Sequence, residues 1–539
     1  MEIHKKNISK LAAKKHKLMK KFIIVLILLL NTLFLFSQKS GPKRVEIKTK
    51  ASINNYKIFP IGNKGLILIN QSNQKENNQR IIFFSRYDKN LKSIWTKKIL
   101  IERYFLYEEY FHSDDKLYVF FKAVVGGKVL IHVVCIDIIS DNISNLKYSI
   151  PFKGKIDYYK IINNSVYLAG EISPTFIDNF SQVCFSLTLV PLFTGLKTYK
   201  IKPFIIVHDL INNTNKKVLP QFKGDANIID VSANKNSGAI NVVFENYVKP
   251  KKKIISVNEY NNEAELLSSI NINTLPDKNL LTGKIIKTDK NEKIFIGTYS
   301  NSTSKRKKSS NIAEGLYFSK IANNKQEFNK YYNFNKFKNF YATISAQLKK
   351  RIIKKNQKGK TVNVGYNLLV HDEIFQKNGQ YIVIAEAYYP EYHTEWRYDS
   401  YGRAYTVEVF DGWRYTHAII AAFDKDGKLI WDNTLEIMDI ISYKLKERVK
   451  ILKDEESIVM IYSAGGYLHS KIIEGTEVIE KKESIKIPTK FKNDAVRTNY
   501  NSDIAHWYDN YFITWGYQKI RNASLKKREV FYFNKIAFQ

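Results

Sequence analysis

Three patterns in the chain put chemically capable side chains close together. Glu391, His393 and Glu395 stand on alternate residues. That spacing places all three on one face of a strand, where carboxylates and an imidazole could hold a metal ion. A solvent-facing strand edge displays the same alternation, so the pattern does not by itself define a metal site. Around it, between Tyr388 and His417, lies a dense run of aromatics. Tyr389, Tyr392, Trp396, Tyr398, Tyr401, Trp413 and Tyr415 are its candidate binding residues, because flat apolar rings with a polar edge suit a sugar ring or a protein surface. The segment has the shape of a long hairpin turning near Asp399–Gly402. A lone hairpin is marginal in water, so the rings either cover their own domain or meet a partner. His371-Asp372-Glu373 and Asp114-Asp115 read as loop residues. The chain has no phosphate-binding glycine loop, no HExxH and no GxSxG. Carboxylates are plentiful, but sequence does not set two of them at catalytic separation. No specific enzymatic signal is present and no cofactor is implied.

The elements that must carry these residues are short strands in a repeat. Tyr87-Asp88-Lys89-Asn90-Leu91-Lys92-Ser93-Ile94-Trp95 recurs as Phe423-Asp424-Lys425-Asp426-Gly427-Lys428-Leu429-Ile430-Trp431. Apolar runs of about four to six residues recur along the chain, among them Leu66–Ile69, Leu117–Phe121, Val166–Ala169, Ile240–Phe244, Tyr381–Ile384 and Ile458–Ile461. They are β-branched and aromatic and are bounded by Asn, Asp, Lys, Gly or Ser, as strands are. They are apolar on consecutive residues, which marks strands covered on both faces. Units of about 40–50 residues, each with several such strands, predict an all-β propeller of about eight four-stranded blades, with seven as the alternative. The last unit supplies three strands, and an early strand near 44–50 completes the ring and removes an exposed edge. In the Asp turns, Asp bonds its own following backbone and Asn90 or Gly427 takes the left-handed conformation.

Asp424, Gly427 and Trp431, with Asp88 and Trp95 repeating them, resemble the blade repeat of quinoprotein-type β-propellers. The turn here is one residue shorter between Asp and Gly, and the other blades lack the Trp. The resemblance therefore implies blade architecture and does not extend to the quinone site. The likeness to the Asp-box of sialidase-type propellers is looser.

Residues 1–37 read as a signal peptide. Lys20 and Lys21 flank the apolar run Phe22–Phe36, which ends in Ser37, and the run is short for a membrane span. Met19 opens this segment and is a candidate true start. Retention as an anchor is the alternative to cleavage. The formal charge is +35, of which residues 1–37 carry +7, leaving +28 on residues 38–539. That excess suggests acidic partners, while export argues against nucleic acid. The chain has only two cysteines, Cys135 and Cys184, which excludes a disulfide-stapled module. Both lie in apolar runs about one repeat apart and read as buried thiols. Insertions fall at 188–204, 337–360 and 388–417. In the second, Ile344, Leu348 and Ile352 recur at helical spacing beside clustered lysines, a short amphipathic helix that could touch a membrane surface. The expectation is an exported, periplasmic or cell-surface propeller that binds a cell-surface protein or an anionic glycan without catalysis. A propeller enzyme acting on polysaccharide and an outer-membrane-associated β-protein are the alternatives.

Overall fold

The computed structural model describes residues 43–538 apart from short internal stretches, the longest being 173–200, 302–311 and 340–348. Cys184, most of the 188–204 insertion, and Ile344, Leu348 and Ile352 lie outside the described residues, as does the N-terminal segment. Residues 349–350 and 353–355 are helical, and their side chains are mostly exposed. Among the described residues no helix is long and apolar enough to cross a membrane.

The described strands form eight separate antiparallel sheets. In chain order they occupy 55–102, 106–150, 155–218, 226–272, 278–333, 312–442, 450–486 and 495–537, here blades 1 to 8. The eighth is completed by the N-terminal strand Arg44–Lys48, which pairs with Lys526–Ala537. An outer-membrane cylinder, considered above for the aromatic C-terminal strand, is not the fold: the strands do not close into one sheet.

Packing between blades explains the consecutive apolar residues. Leu66 and Leu68 join a cluster with Ile513 and Phe531 of blade 8. Ile67 and Ile69, on the other side of the same strand, pack with Leu117, Val119 and Phe121 of blade 2. Blade 2 repeats the division, sending Tyr118 and Phe120 to blade 3. Each further junction has its own apolar cluster: blades 3 and 4, 4 and 5, 5 and 6, 6 and 7, and 7 and 8. With the cluster between blades 8 and 1 the circuit is closed. Burial of a Leu, Ile or Phe side chain stabilises by roughly 1.5–3 kcal/mol, and such residues recur at every junction.

The repeated Asp phrase forms the turn between the third and fourth strands of its blade. Asp88 Oδ1 accepts from the backbone N–H of Asn90 and Lys92, both at 2.8 Å. Asp424 does the same with Asp426 and Lys428 at 3.0 and 2.8 Å. The left-handed residue in blade 1 is Leu91, at φ +62°, and not Asn90. Leu91 holds the register of Gly427, at φ +71°, and its side chain is buried in the junction with blade 8. That burial offsets the roughly 1–2 kcal/mol cost of the left-handed backbone. At position 427 a Cβ would stand 2.5 Å from Phe318 Cδ1, so glycine is required there. Cys135 is half-buried and its sulfur is a free thiol. Burial pushes its pKa up.

Ring closure carries a buried ionic network. Glu46 lies 2.7 Å from Arg44 Nε and 3.2 Å from Arg528 Nε. Arg528 also pairs with Asp494 at 2.5 Å. Hydrogen bonding from Arg528 holds the Asp494 carboxyl down at about 2. A group with a depressed folded pKa stabilises fully above its unfolded value of about 4 and loses that contribution as pH falls through the folded value. Denaturant midpoints from pH 5 to pH 2 should therefore fall more steeply for the native chain than for Asp494→Asn. Parallel curves would remove Asp494 from the acid response. Glu46→Gln leaves two arginines short of a carboxylate and should cost roughly 3–5 kcal/mol in equilibrium unfolding.

Candidate binding surfaces

The aromatic hairpin is a continuation of blade 6. Its two central strands, Gln380–Tyr398 and Ala404–Phe423, stay paired for almost their whole length. Near the ring they are buried, from Tyr381 to Ala387 and from His417 to Phe423. Beyond Tyr388 they leave the sheet, and from Tyr392 to Phe410 the register pairs them with each other alone. Asp399 forms the tip, accepting from Tyr401 N–H and Arg403 N–H, both at 2.9 Å. Gly402 takes the left-handed position there, at φ +75°. The tip thus reuses the Asp turn of blades 1 and 6.

The seven aromatic candidates do not form one surface. Tyr392, Trp396 and Tyr398 alternate onto one face of the ribbon, and Tyr401 sits in the turn. Trp396 is 70% exposed, Tyr398 71% and Tyr401 83%. Tyr389 is exposed on the opposite face, beside Arg414. Trp413 is half-buried at the base, edge-on to Tyr388 at 5.4 Å and Phe410 at 5.2 Å. Tyr392 continues this ladder against Phe410 at 5.5 Å. Tyr415 is not a surface residue. It is 2% exposed in the junction with blade 7. Its hydroxyl donates to Lys446 O at 2.8 Å and accepts from Lys446 N–H at 3.0 Å.

The three alternating polar residues are engaged separately. Glu391 pairs with Arg414, with 2.8 Å between its Oε1 and Nη2. His393 Nδ1 lies 2.6 Å from Asp411 and its Nε2 lies 3.2 Å from Glu395. Hydrogen bonds to Asp411 and Glu395 raise the imidazole pKa. Arg397 shares Glu395 at 3.3 Å. Glu391 is thus drawn away from His393, and among the described residues no group of three His, Cys, Asp or Glu is placed to hold a metal ion.

A second surface, not anticipated from the sequence, lines the axis. The inner strands of blades 2 and 3, 3 and 4, 4 and 5, 7 and 8, and 8 and 1 touch one another, so they converge there. Lys160 of blade 3 reaches Asp372 of blade 6 at 3.4 Å, across an opening between blades that are not adjacent. Taken blade by blade, charged side chains near this inner wall include Lys57, Glu109, Lys160, Asp230, Lys284, Asp372, Lys446 with Arg448, and Asp503, and Lys444, Glu447 and Glu373 stand among them. Both signs are mixed around the ring. Lys284 lies 2.5 Å from Asp230 and 2.6 Å from Asp372. Asp503 pairs with Lys446 and lies 3.8 Å from Arg448.

The local fields follow this arrangement. Burial alone would raise Asp372, but the ammonium groups of Lys284 and Lys160 hold it down at about 2. Burial is the larger influence on Asp230 and raises it, against Lys284. Burial, with Lys446 and Lys444 opposite, brings Lys57 down to about 8; its Nζ sits over the Tyr107 ring at 4.3 Å. Beneath the wall, fully buried Glu386 accepts from His371 Nε2 at 2.7 Å and from Val449 N–H and Arg448 N–H at 2.8 Å. This fixes the approach to blade 7. His371-Asp372-Glu373 therefore belongs to the axial wall. The available sequence signal is a charge among the apolar and aromatic residues of a first strand, as with Lys57 in Asn55–Pro60; Asp372, Lys446 and Arg448 lie outside any strand and carry no such signal.

These features define a β-propeller. No protein-family model matches the chain, and no curated protein matches it. Solved structures that are similar include the β-propeller domain of the Trilobed protease from Pyrococcus furiosus, with 9% identity over 81% of this chain and 95% of that one, at a TM-score of 0.32. The WD40 domain of SCAP from fission yeast matches at 8% identity over 92% and 98%, TM-score 0.37. The polysaccharide lyase Uly1 matches at 9% over 80% and 89%, TM-score 0.37. Likeness at this level carries no functional argument, and the architecture rests on the chain's own pairing.

Tyr415 offers a test that separates structure from binding. Tyr415→Phe should lose about 1 kcal/mol per hydroxyl bond in urea unfolding and leave partner capture unchanged. Lost capture with intact stability would return Tyr415 to the binding surface.

Proposed function

We propose that the protein is an exported, non-catalytic binding scaffold in which the closed ring holds a projecting arm, 388–417, against a partner. The observation that carries this reading is the exposure of three large rings, Trp396, Tyr398 and Tyr401, at the end of a ribbon whose strands pair only with each other from Tyr392 to Phe410. Contiguous exposed aromatics mark interaction sites, and Trp and Tyr anchor them. Export rests on the basic flank and the apolar run of residues 20–37.

The arm's composition favours a protein partner over an anionic glycan. Residues 388–417 hold five carboxylates against three arginines and no lysine, a locally acidic element in a strongly basic chain. A polyanion is repelled there, whereas the free edges of a two-stranded ribbon suit strand addition by a protein. A polysaccharide-cleaving enzyme is supported less well. The axial carboxylates Asp230 and Asp372 are both tied to one ammonium group, Lys284, which is the arrangement of an ion-pair network.

The combined variant Trp396→Ala, Tyr398→Ala, Tyr401→Ala should keep its unfolding midpoint, since exposed substitutions act within about 0.5 kcal/mol. Its affinity for partners captured from cell-envelope extract should drop by roughly 30-fold or more, as removal of a hot spot does. Recovery of the same partners by both proteins at equal affinity would defeat the reading.

A further inference from the structure

Part of the axial wall opens into a polar cavity of about 340 Å³ between blades 3, 4, 5 and 6. Lys160, Asp230, Ser232, Lys284, Asp372 and Glu373 are the polar groups the argument uses. Asp230 is 2% exposed, and its Oδ1 is bound by Lys284 at 2.5 Å. Its Oδ2 is buried without a hydrogen-bond partner, and so is Ser232 Oγ. Both atoms are closed off from solvent, so the polar groups a guest can reach are Lys160, Lys284, Asp372 and Glu373.

We infer that this cavity is a binding site for a small neutral polyol, a pyranose-sized unit with vicinal hydroxyls. The volume lies within the range of small-ligand sites. The wall sets two ammonium groups, Lys160 and Lys284, among three carboxylates, Asp230, Asp372 and Glu373. A hydroxyl donates to Asp372 or Glu373 while its neighbour accepts from Lys284 or Lys160, without adding charge. Glu373 is itself paired with Lys453, so an anion meets three carboxylates, a cation meets three ammonium groups, and the charges of the wall already balance. Neither gains what a neutral donor and acceptor gains here. The site is separate from the hairpin, so its success or failure leaves the arm's role standing.

The test is calorimetric titration of the intact protein with methyl β-D-glucoside, methyl α-D-mannoside and methyl β-D-galactoside, with sodium glucuronate as the anionic comparison. At least one methyl glycoside should bind saturably, several-fold tighter than glucuronate. Asp372→Asn should weaken it ten-fold or more, with the unfolding midpoint followed in parallel because Asp372 pairs with Lys284 and Lys160, and Ser232→Leu should abolish it by filling the cavity. The hairpin triple variant should bind as the native chain does. Absence of saturation with all three glycosides, as expected of a cavity holding water only, overturns the proposal. So does glucuronate binding as tightly, or an Asp372→Asn protein with unchanged affinity.

Discussion

The structure depends on a strand that is apolar on both sides having somewhere to put each side. In a single sheet with one wet face this pattern exposes half of its apolar residues. In a ring of upright sheets it exposes none, because alternate residues go to different neighbours. Leu66 and Leu68 turn to blade 8, and Ile67 and Ile69 turn to blade 2. No blade can bury its central strand alone, so the stability of each depends on both neighbours. Closure follows from the same need: an open ring leaves blades 1 and 8 each with one apolar face in water. Arg44–Lys48 returns from the N-terminus to pair with the final strand, and the Glu46 pairs lock the two ends of the described chain together.

This constraint made much of the fold legible. Runs such as Leu117–Phe121 and Ile458–Ile461 could be read as doubly covered strands without knowledge of their partners, and both are buried along their length. The Asp turns were legible as turns, but the left-handed residue was assigned to Asn90 by propensity, and the structure puts Leu91 there. Tertiary burial outweighed local preference. Burial also separated the aromatic candidates. Periodicity treats Tyr415 and Tyr398 alike, since both lie in one hairpin sequence. The distance of each from the ring decides which is core and which is surface, and that distance depends on where the sheet ends.

The end of the sheet is itself encoded. Along Gln380–Tyr398 the buried stretch Tyr381–Ala387, apolar but for Glu386, gives way to Tyr-Pro-Glu-Tyr-His-Thr-Glu, and burial ceases at the same place. Past it no neighbouring blade is present to cover either face, so charged and aromatic residues replace aliphatic ones. The ribbon is held at its base by the Tyr388, Trp413, Phe410 and Tyr392 rings and along the other face by ion pairs such as Glu391 with Arg414. These contacts brace a two-stranded extension at its base, where an isolated hairpin has none, and the tip rings stay exposed, with Arg403 over the Tyr401 ring at 5.7 Å.

The axis poses the opposite problem. Eight first strands converge where space is shortest, and apolar side chains there would meet and collapse the opening. Charged side chains of both signs keep it wet, and a ring of one sign would force the blades apart. Pairing Lys284 with Asp230 and Asp372, and Lys446 with Asp503, meets both demands. What the axis offers is a set of paired donors and acceptors. Where the wall widens into a cavity between blades 3 to 6, that balance is what the proposed selectivity for an uncharged, hydroxyl-rich guest rests on.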